Sequence, residues 1–290
     1  MSPAASSPDR RAAVALVIGG ITSVQFGSAL ATHLFDDVGP AGTVLLRTVF
    51  AAAVLSLFRH PIARGLSGVQ LRDIGLFAIT LASMNFFFYE GLERLPLGIA
   101  VTLEFVGPLT IAILGTRNRL DLLWVALAGA GILLLAPDIG DGLDATGVAF
   151  SLIAGGFWGG YILMSARVGR GIAGRGGLSS AMIVASILLL PVGIPDGGGE
   201  LLQPGILAAA FGVAVLSSAI PYTLELEALR RLPERVFGVL LSLEPAVAAI
   251  VGLIVLGQHL VSTEVIAIGL VVAASAGALS SAEAVEAPQS

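Results

Sequence analysis

Three ionisable residues stand in the middle of apolar stretches: Arg47 in Leu45-Leu46-Arg47-Thr48-Val49, Glu104 in Thr102-Leu103-Glu104-Phe105-Val106, and Glu244 in Leu241-Ser242-Leu243-Glu244-Pro245. A charge so placed costs about 2.5 to 3.5 kcal/mol even on insertion scales, so it marks a binding site, a pathway or a structural pair. The three differ in what they can do. Arg47 cannot shed its proton and needs a carboxylate or a ring of carbonyls, whereas a buried Glu can neutralise itself by taking up a proton. Arg47 is therefore the candidate to hold a substrate carboxylate, or to counter Glu104 in the empty site. Glu104 is the candidate to take an ammonium or a proton. The competing expectation, which extends to Glu244, is a structural Arg–Glu pair that fixes packing and never meets a ligand.

Proline placement sharpens the case for Glu104. A Pro lacks its N–H and so frees the carbonyl four residues earlier, which for Pro108 is that of Glu104, for Pro221 that of Ser217 and for Pro245 that of Leu241. Freed carbonyls at membrane depth are tolerated where they line a polar cavity or where neighbouring helices satisfy them again. All three prolines are expected to break helices beside a site, with ordinary kinks as the alternative. The rest of the candidate substrate-binding set is Asn85, Tyr89, Trp158 and Tyr222. Trp158 lies well inside its segment and is the expected cavity wall, because aromatics at a boundary are more often interfacial anchors. Asn85 and Gln25 are deep as well, but either can equally bond a neighbouring helix.

Other chemistries lack their parts. His33, His60 and His259 fall at the ends of apolar stretches, and there is no His-Glu-x-x-His, no Gly-x-Ser-x-Gly and no Gly loop before a Lys. No enzyme, cofactor or metal is expected. With no Cys there is neither a disulfide nor a thiolate nucleophile. All 15 cationic residues are Arg, without a basic patch interleaved with aromatics, so nucleic acid is not an expected partner. The net charge of -5 says little about partners.

These residues are positioned by a very apolar chain. Of 290 residues 56% are hydrophobic and 12% charged, with mean hydropathy +0.95, whereas a soluble domain is charged at roughly a quarter of its positions. The fold expected is an all-α integral membrane protein of ten transmembrane helices, at 12–32, 40–58, 73–92, 97–115, 120–136, 146–166, 178–195, 205–226, 236–256 and 261–281. Separators such as Asp36-Asp37-Val38-Gly39-Pro40, Pro137-Asp138-Ile139-Gly140-Asp141-Gly142 and Pro195-Asp196-Gly197-Gly198-Gly199 carry turn chemistry. Arg10-Arg11 precede an apolar run too long for a signal-peptide core, so that run reads as the first span. Small-residue ladders at Gly19, Ser23 and Gly27, at Gly155 and Gly159, and at Gly269, Ala273 and Gly277 suit close helix packing. Glu90 with Arg94, and Glu227 with Arg231, read as i,i+4 ion pairs at helix ends.

The chain also repeats itself. An offset of 137 carries Glu90-Gly91-Leu92-Glu93-Arg94-Leu95-Pro96 onto Glu227-Ala228-Leu229-Arg230-Arg231-Leu232-Pro233, and Pro108 onto Pro245. Five spans per half is odd, so the halves enter the membrane from opposite faces, the layout of alternating-access carriers. The domains expected are a tail at 1–11, a first five-helix repeat at 12–136, a connector at 137–145, a second repeat at 146–281 and a tail at 282–290.

Arg47 within its span, the two-repeat layout and the segments Met84-Asn85-Phe86-Phe87-Phe88-Tyr89 and Pro96-Leu97-Gly98-Ile99-Ala100-Val101-Thr102-Leu103-Glu104-Phe105-Val106-Gly107-Pro108 carry a resemblance. The chain resembles the EamA-domain group of the drug/metabolite transporter superfamily, and more narrowly its threonine/homoserine exporter branch. The resemblance implies a secondary transporter, proton- or gradient-coupled, that exports amino acids or related small polar metabolites. An uptake carrier or a multidrug/metabolite efflux carrier of the same superfamily is the alternative, ahead of a channel. The partners expected are the metabolite and the lipid bilayer, with a homodimer left open, and the location is the plasma (inner) membrane.

If the ten spans alternate, thirteen Arg fall on one side and Arg94 alone on the other, which makes the first side cytoplasmic with both termini inside. Reporter fusions should then place Ile62, Asn118, Ile172 and the C-terminus in the cytoplasm, and Asp37, Gly140 and Gly198 outside. An outward C-terminus would overturn the ten-span reading and the inverted repeat with it.

Overall fold

Hydrocarbon offers a backbone no water, so an apolar segment folds as helix and closes its N–H to C=O bonds within itself. The computed structural model describes residues 7–58, 65–114, 120–135, 142–171, 176–229, 231–232 and 234–286, which contain helices and no β-strand. Six of the helices are long and apolar enough to cross a membrane, and four shorter apolar segments stand between and after them. In chain order the helices are α1 (Ser7–Thr32), α2 (Phe35–Phe58), α3 (Gly68–Arg94), α4 (Leu97–Glu104), α5 (Val106–Leu114) and α6 (Leu120–Leu135). There follow α7 (Ala145–Gly171), α8 (Gly177–Gly197), α9 (Pro204–Ala214), α10 (Ile220–Leu229), α11 (Glu234–Leu241), α12 (Glu244–Leu256) and α13 (Ser262–Glu286). A π turn at Val215–Ala219 joins α9 to α10.

Three segments expected as single helices are broken, each next to one of the singled-out prolines. The 97–115 segment splits into α4 and α5 at Phe105, three residues before Pro108. The 236–256 segment splits into α11 and α12 at Ser242 and Leu243, just before Pro245. The 205–226 segment carries the π turn before Pro221. A missing N–H and a clashing ring leave the preceding turn without its regular bond, and a break or a wider turn absorbs the mismatch.

Two of the expected turns are more helical than their composition suggests. The regular part of α2 begins at Pro40 behind Gly39, whose φ of 66° suits glycine. The Asp196 carboxylate accepts from the N–H groups of Ala41 at 2.9 Å and Gly42 at 3.3 Å, so it caps that start. Because Asp196 is held there, and Pro195 forfeits only one bond, α8 runs through Pro191 and Pro195 and ends at Gly198, with φ 51°. Residues 137–141 of the third expected turn lie outside the described residues, as do 1–6 and 287–290 of the expected tails.

The helices pack in a recognisable pattern: α2 on α8, α3 on α7, α4 on α12 and α6 on α13, with α1 against α10 and α12. One face of α7 carries Gly147, Ser151, Gly155 and Gly159 at four-residue spacing, and α3, α4 and α5 press against it. A Cβ on Gly155 would sit 2.5 Å from the Glu104 carbonyl oxygen, and one on Gly107 would fall on the Gly155 carbonyl. At the cytoplasm-facing end expected from the Arg distribution, Arg167 Nε donates to Asp73 Oδ2 at 2.9 Å and pins α7 to α3. Large apolar side chains such as Phe58, Leu133, Ile187 and Ile254 point outward, as a lipid-facing surface requires.

The close backbone approach at Gly107 is testable. Gly107→Ala should cost about 1 to 3 kcal/mol, the usual range for overpacking. Thermal unfolding in detergent should show the loss, while Gly75→Ala, with nothing within 4 Å of the added carbon, should unfold at or above the parent temperature. Equal melting of the two variants would refute the packing account.

Candidate functional site

Arg47 projects from the middle of α2 toward α3, where Asn85 and Tyr89 present their side chains one turn apart. Its Nη1 donates to Tyr89 Oη at 2.9 Å and its Nη2 to Asn85 Oδ1 at 2.6 Å. Asn85 Nδ2 donates in turn to the Leu81 carbonyl at 2.8 Å, which fixes the amide with its oxygen toward the guanidinium. The guanidinium carbon also lies 5.2 Å from the Tyr89 ring centroid, within cation–π range. Every one of these partners is neutral. The structural Arg47–Glu104 pair considered from sequence is not formed, because α3 supplies the acceptors that such a pair was expected to provide. Arg47 Nε is buried and without a hydrogen bond among the described residues.

Arg47, Asn85, Glu104, Trp158 and Glu244 share one cavity of about 480 Å³, within the usual size of a small-molecule site. Glu104 is the last residue of α4 and only 8% exposed, and its carboxyl makes no hydrogen bond or ion pair among the described residues. Glu244 occupies the first turn of α12 on the same wall. Trp158 of α7 meets Phe105 edge-on, ring centroids 5.3 Å apart, and closes one side. The arrangement sets one cation and two carboxylates around a single space, with an aromatic wall.

Other sequence expectations land differently. Tyr89 is fully buried behind Arg47 and off the cavity wall, so it orients the guanidinium. Pro108 and Pro221 are on the wall, while Pro245 is buried at the start of α12 and not on it. The carbonyl freed by Pro108, that of Glu104, abuts Gly155 instead of opening into the cavity. At Pro221 the π turn changes which carbonyl needs help: Ile220 N–H bonds Val215, and Ser23 Oγ donates to the Leu216 carbonyl at 2.6 Å. The expected orphan at Ser217 is thus displaced by one residue. The side chain of Tyr222 lies outside the described residues.

Sequence reasoning left out Ser28 and Ser275, which also line the cavity, noted Ser217 only for its carbonyl, and left Gln25 undecided. Ser28 follows Gln25 by three residues and therefore shares its helix face, a signal that was available. Ser275 gave none, since serines in apolar helices commonly bond their own backbone.

Residues 145–280 match the EamA-like transporter family. The threonine/homoserine exporter RhtA of Salmonella typhimurium is 38% identical over 267 residues, covering 91% of this chain and 90% of that protein. The threonine/homoserine exporter RhtA of Escherichia coli is 37% identical over the same shares. The chain belongs to the EamA-like transporter family. A solved crystal structure superposes with TM-score 0.62 over 94% of this chain and 99% of that one, at 18% identity, which speaks to the fold alone. As an EamA-like transporter it is a membrane transport protein and not an enzyme.

The support of Arg47 by neutral acceptors has a measurable consequence for this transporter. Asn85→Leu removes the acceptor of Nη2 and should lower stability by about 1 to 3 kcal/mol, the cost of leaving a donor unpaired. Tyr89→Phe should act in the same direction. Thermal unfolding of the purified variants reads both, and parental melting of Asn85→Leu would show that the guanidinium does not depend on this amide.

Proposed function

We propose that this chain exports an α-amino acid, of the threonine and homoserine kind, across the plasma membrane by alternating access. The observation that carries the reading is an arginine at mid-helix with neutral partners only, in one cavity with two carboxylates. An amino acid is a zwitterion, and its carboxylate complements Arg47 while its ammonium complements Glu104 or Glu244. Arg47 has neutral hydrogen-bond partners and the Glu104 carboxyl has no hydrogen bond or ion pair among the described residues, so a zwitterion would give each an opposite charge. The names of the relatives, threonine/homoserine exporters, favour the same substrate class.

The carrier mechanism rests on ten spans in two inverted repeats, with both termini cytoplasmic. Support comes from a shared register: the offset of 137 that carries Pro108 onto Pro245 also carries Glu104, the end of α4, onto Leu241, the end of α11. The same offset relates two observed ion pairs, Arg94 with Glu90 at 3.0 Å and Arg231 with Glu227 at 2.6 Å. Packing obeys the exchange too, since α3 on α7 corresponds to α10 on α1. In this topology Leu34, Tyr89, Leu92 and Leu97, each at most 4% exposed, seal the outer side above the cavity. Glu104 sits where one carboxyl can hold an ammonium or carry a coupling proton, but not both at once, which is the elementary requirement for exchange.

Purified protein in vesicles should show saturable counterflow of threonine and homoserine. Glu104→Gln should abolish that counterflow with melting close to the parent, because the carboxyl has no bond to lose among the described residues. Full transport by Glu104→Gln at normal expression would sink the role of this carboxylate, and absence of any amino-acid counterflow by the parent would sink the substrate class.

A further inference from the structure

We infer that Gln25 is the residue that reads the substrate's side-chain hydroxyl, a third recognition point beside the two that hold the zwitterion. The inference rests on the amino-acid reading above and deepens it.

Gln25 lines the cavity from α1 and is 1% exposed. Its Oε1 is buried without a partner, and the side chain makes no hydrogen bond to any described residue. A primary amide offers two donors and a carbonyl acceptor, so leaving it idle in an apolar bundle is unusual. Structural duty does not explain it. The side-chain bond that ties α1 to another element is made by a neighbour: Ser23 Oγ donates to the Leu216 carbonyl at 2.6 Å. Nor does packing at this register need an amide. The offset of 137 places Gln25 opposite Ile162, which is apolar and lines the same cavity.

What remains is a ligand. Arg47 answers a carboxylate and Glu104 or Glu244 an ammonium, which leaves the side chain of the amino acid to be distinguished. A hydroxyl both donates and accepts, and an amide matches it in both senses. Ser28, three residues further along the same face, adds a hydroxyl to the wall beside this amide. A methyl in the hydroxyl's place would leave the amide buried and unpaired, the situation in which polar sites reject an isostere most strongly.

The experiment compares counterflow by the parent and Gln25→Met in vesicles, with threonine against valine and homoserine against norvaline. Each pair differs by a hydroxyl replaced with a methyl. The parent should prefer the hydroxylated member by about tenfold or more, and Gln25→Met should transport both members with that preference largely erased. Melting of Gln25→Met should equal or exceed the parent's, since no bond is removed. Retained preference in Gln25→Met, or a parent without preference, overturns the inference while the amino-acid reading stands. A variant that unfolds or melts well below the parent assigns the amide a structural role and overturns it too. A parent that moves none of the four amino acids overturns the reading on which this one rests.

Discussion

A guanidinium that keeps its proton under all conditions, set in the middle of an apolar helix, is the constraint from which the rest of this molecule follows. Placing it there is costly, and the cost is offset without a direct ion pair among the described residues: an amide oxygen and a phenol from α3 accept its hydrogen bonds. Those acceptors work only if α3 is held at one rotation. Leu81 fixes the amide of Asn85, and α3 is in turn fixed by its long contact with α7 through small residues such as Gly91, Gly147 and Ser151. The glycines of α7 thereby serve Arg47 at a distance. The same ladder continues through Gly155 to the break in the fourth segment, so one helix face sets both the cation and Glu104.

The breaks themselves give the two carboxylates different surroundings. Glu104 closes α4 at the helix end that carries partial negative charge, which favours a cation beside it. Glu244 opens α12 at the end that carries partial positive charge, which favours the anion. In the proposed function an ammonium is therefore favoured on the Glu104 side of the cavity.

Much of this was legible in the chain because membrane depth makes polarity expensive. Arg47, Glu104 and Glu244 announced themselves by being ionisable in apolar company, and Pro108 and Pro245 by recurring in one register. What could not be read was direction. Nothing in the sequence says that Arg47 turns to Asn85 and Tyr89 instead of Glu104, because all three are within plausible reach of a span-two side chain until the helix rotations are known. The π turn before Pro221 was equally hidden: proline predicts that a carbonyl loses its partner, but the wider turn decides that Leu216 is the one taken by Ser23. Gln25 was visible and undecided, since an isolated amide in a span fits a helix contact as well as a ligand until its lack of partners is seen.

The proposed repeat also separates scaffold from chemistry. Under the offset of 137 the helix breaks before Pro108 and Pro245, those two prolines and the terminal ion pairs coincide, whereas the π turn before Pro221 has no counterpart in α3 and the site residues do not match: Arg47 falls on Val184, Glu104 on Leu241, Gln25 on Ile162, Tyr89 on Leu226 and Glu244 on Gly107. A carrier that opens to either side needs two halves able to exchange roles, which calls for symmetry in the helices and their breaks. A zwitterion with distinct ends can be held in one orientation only by an asymmetric set of charges. The two demands act on different residues, and the chain meets them by conserving backbone devices between its halves while placing each charge in one half alone. Leu241 and Ile162 line the same cavity as their polar counterparts Glu104 and Gln25, so at these two registers the second half supplies apolar wall where the first supplies polar groups, while Glu244 is the charge that the second half contributes.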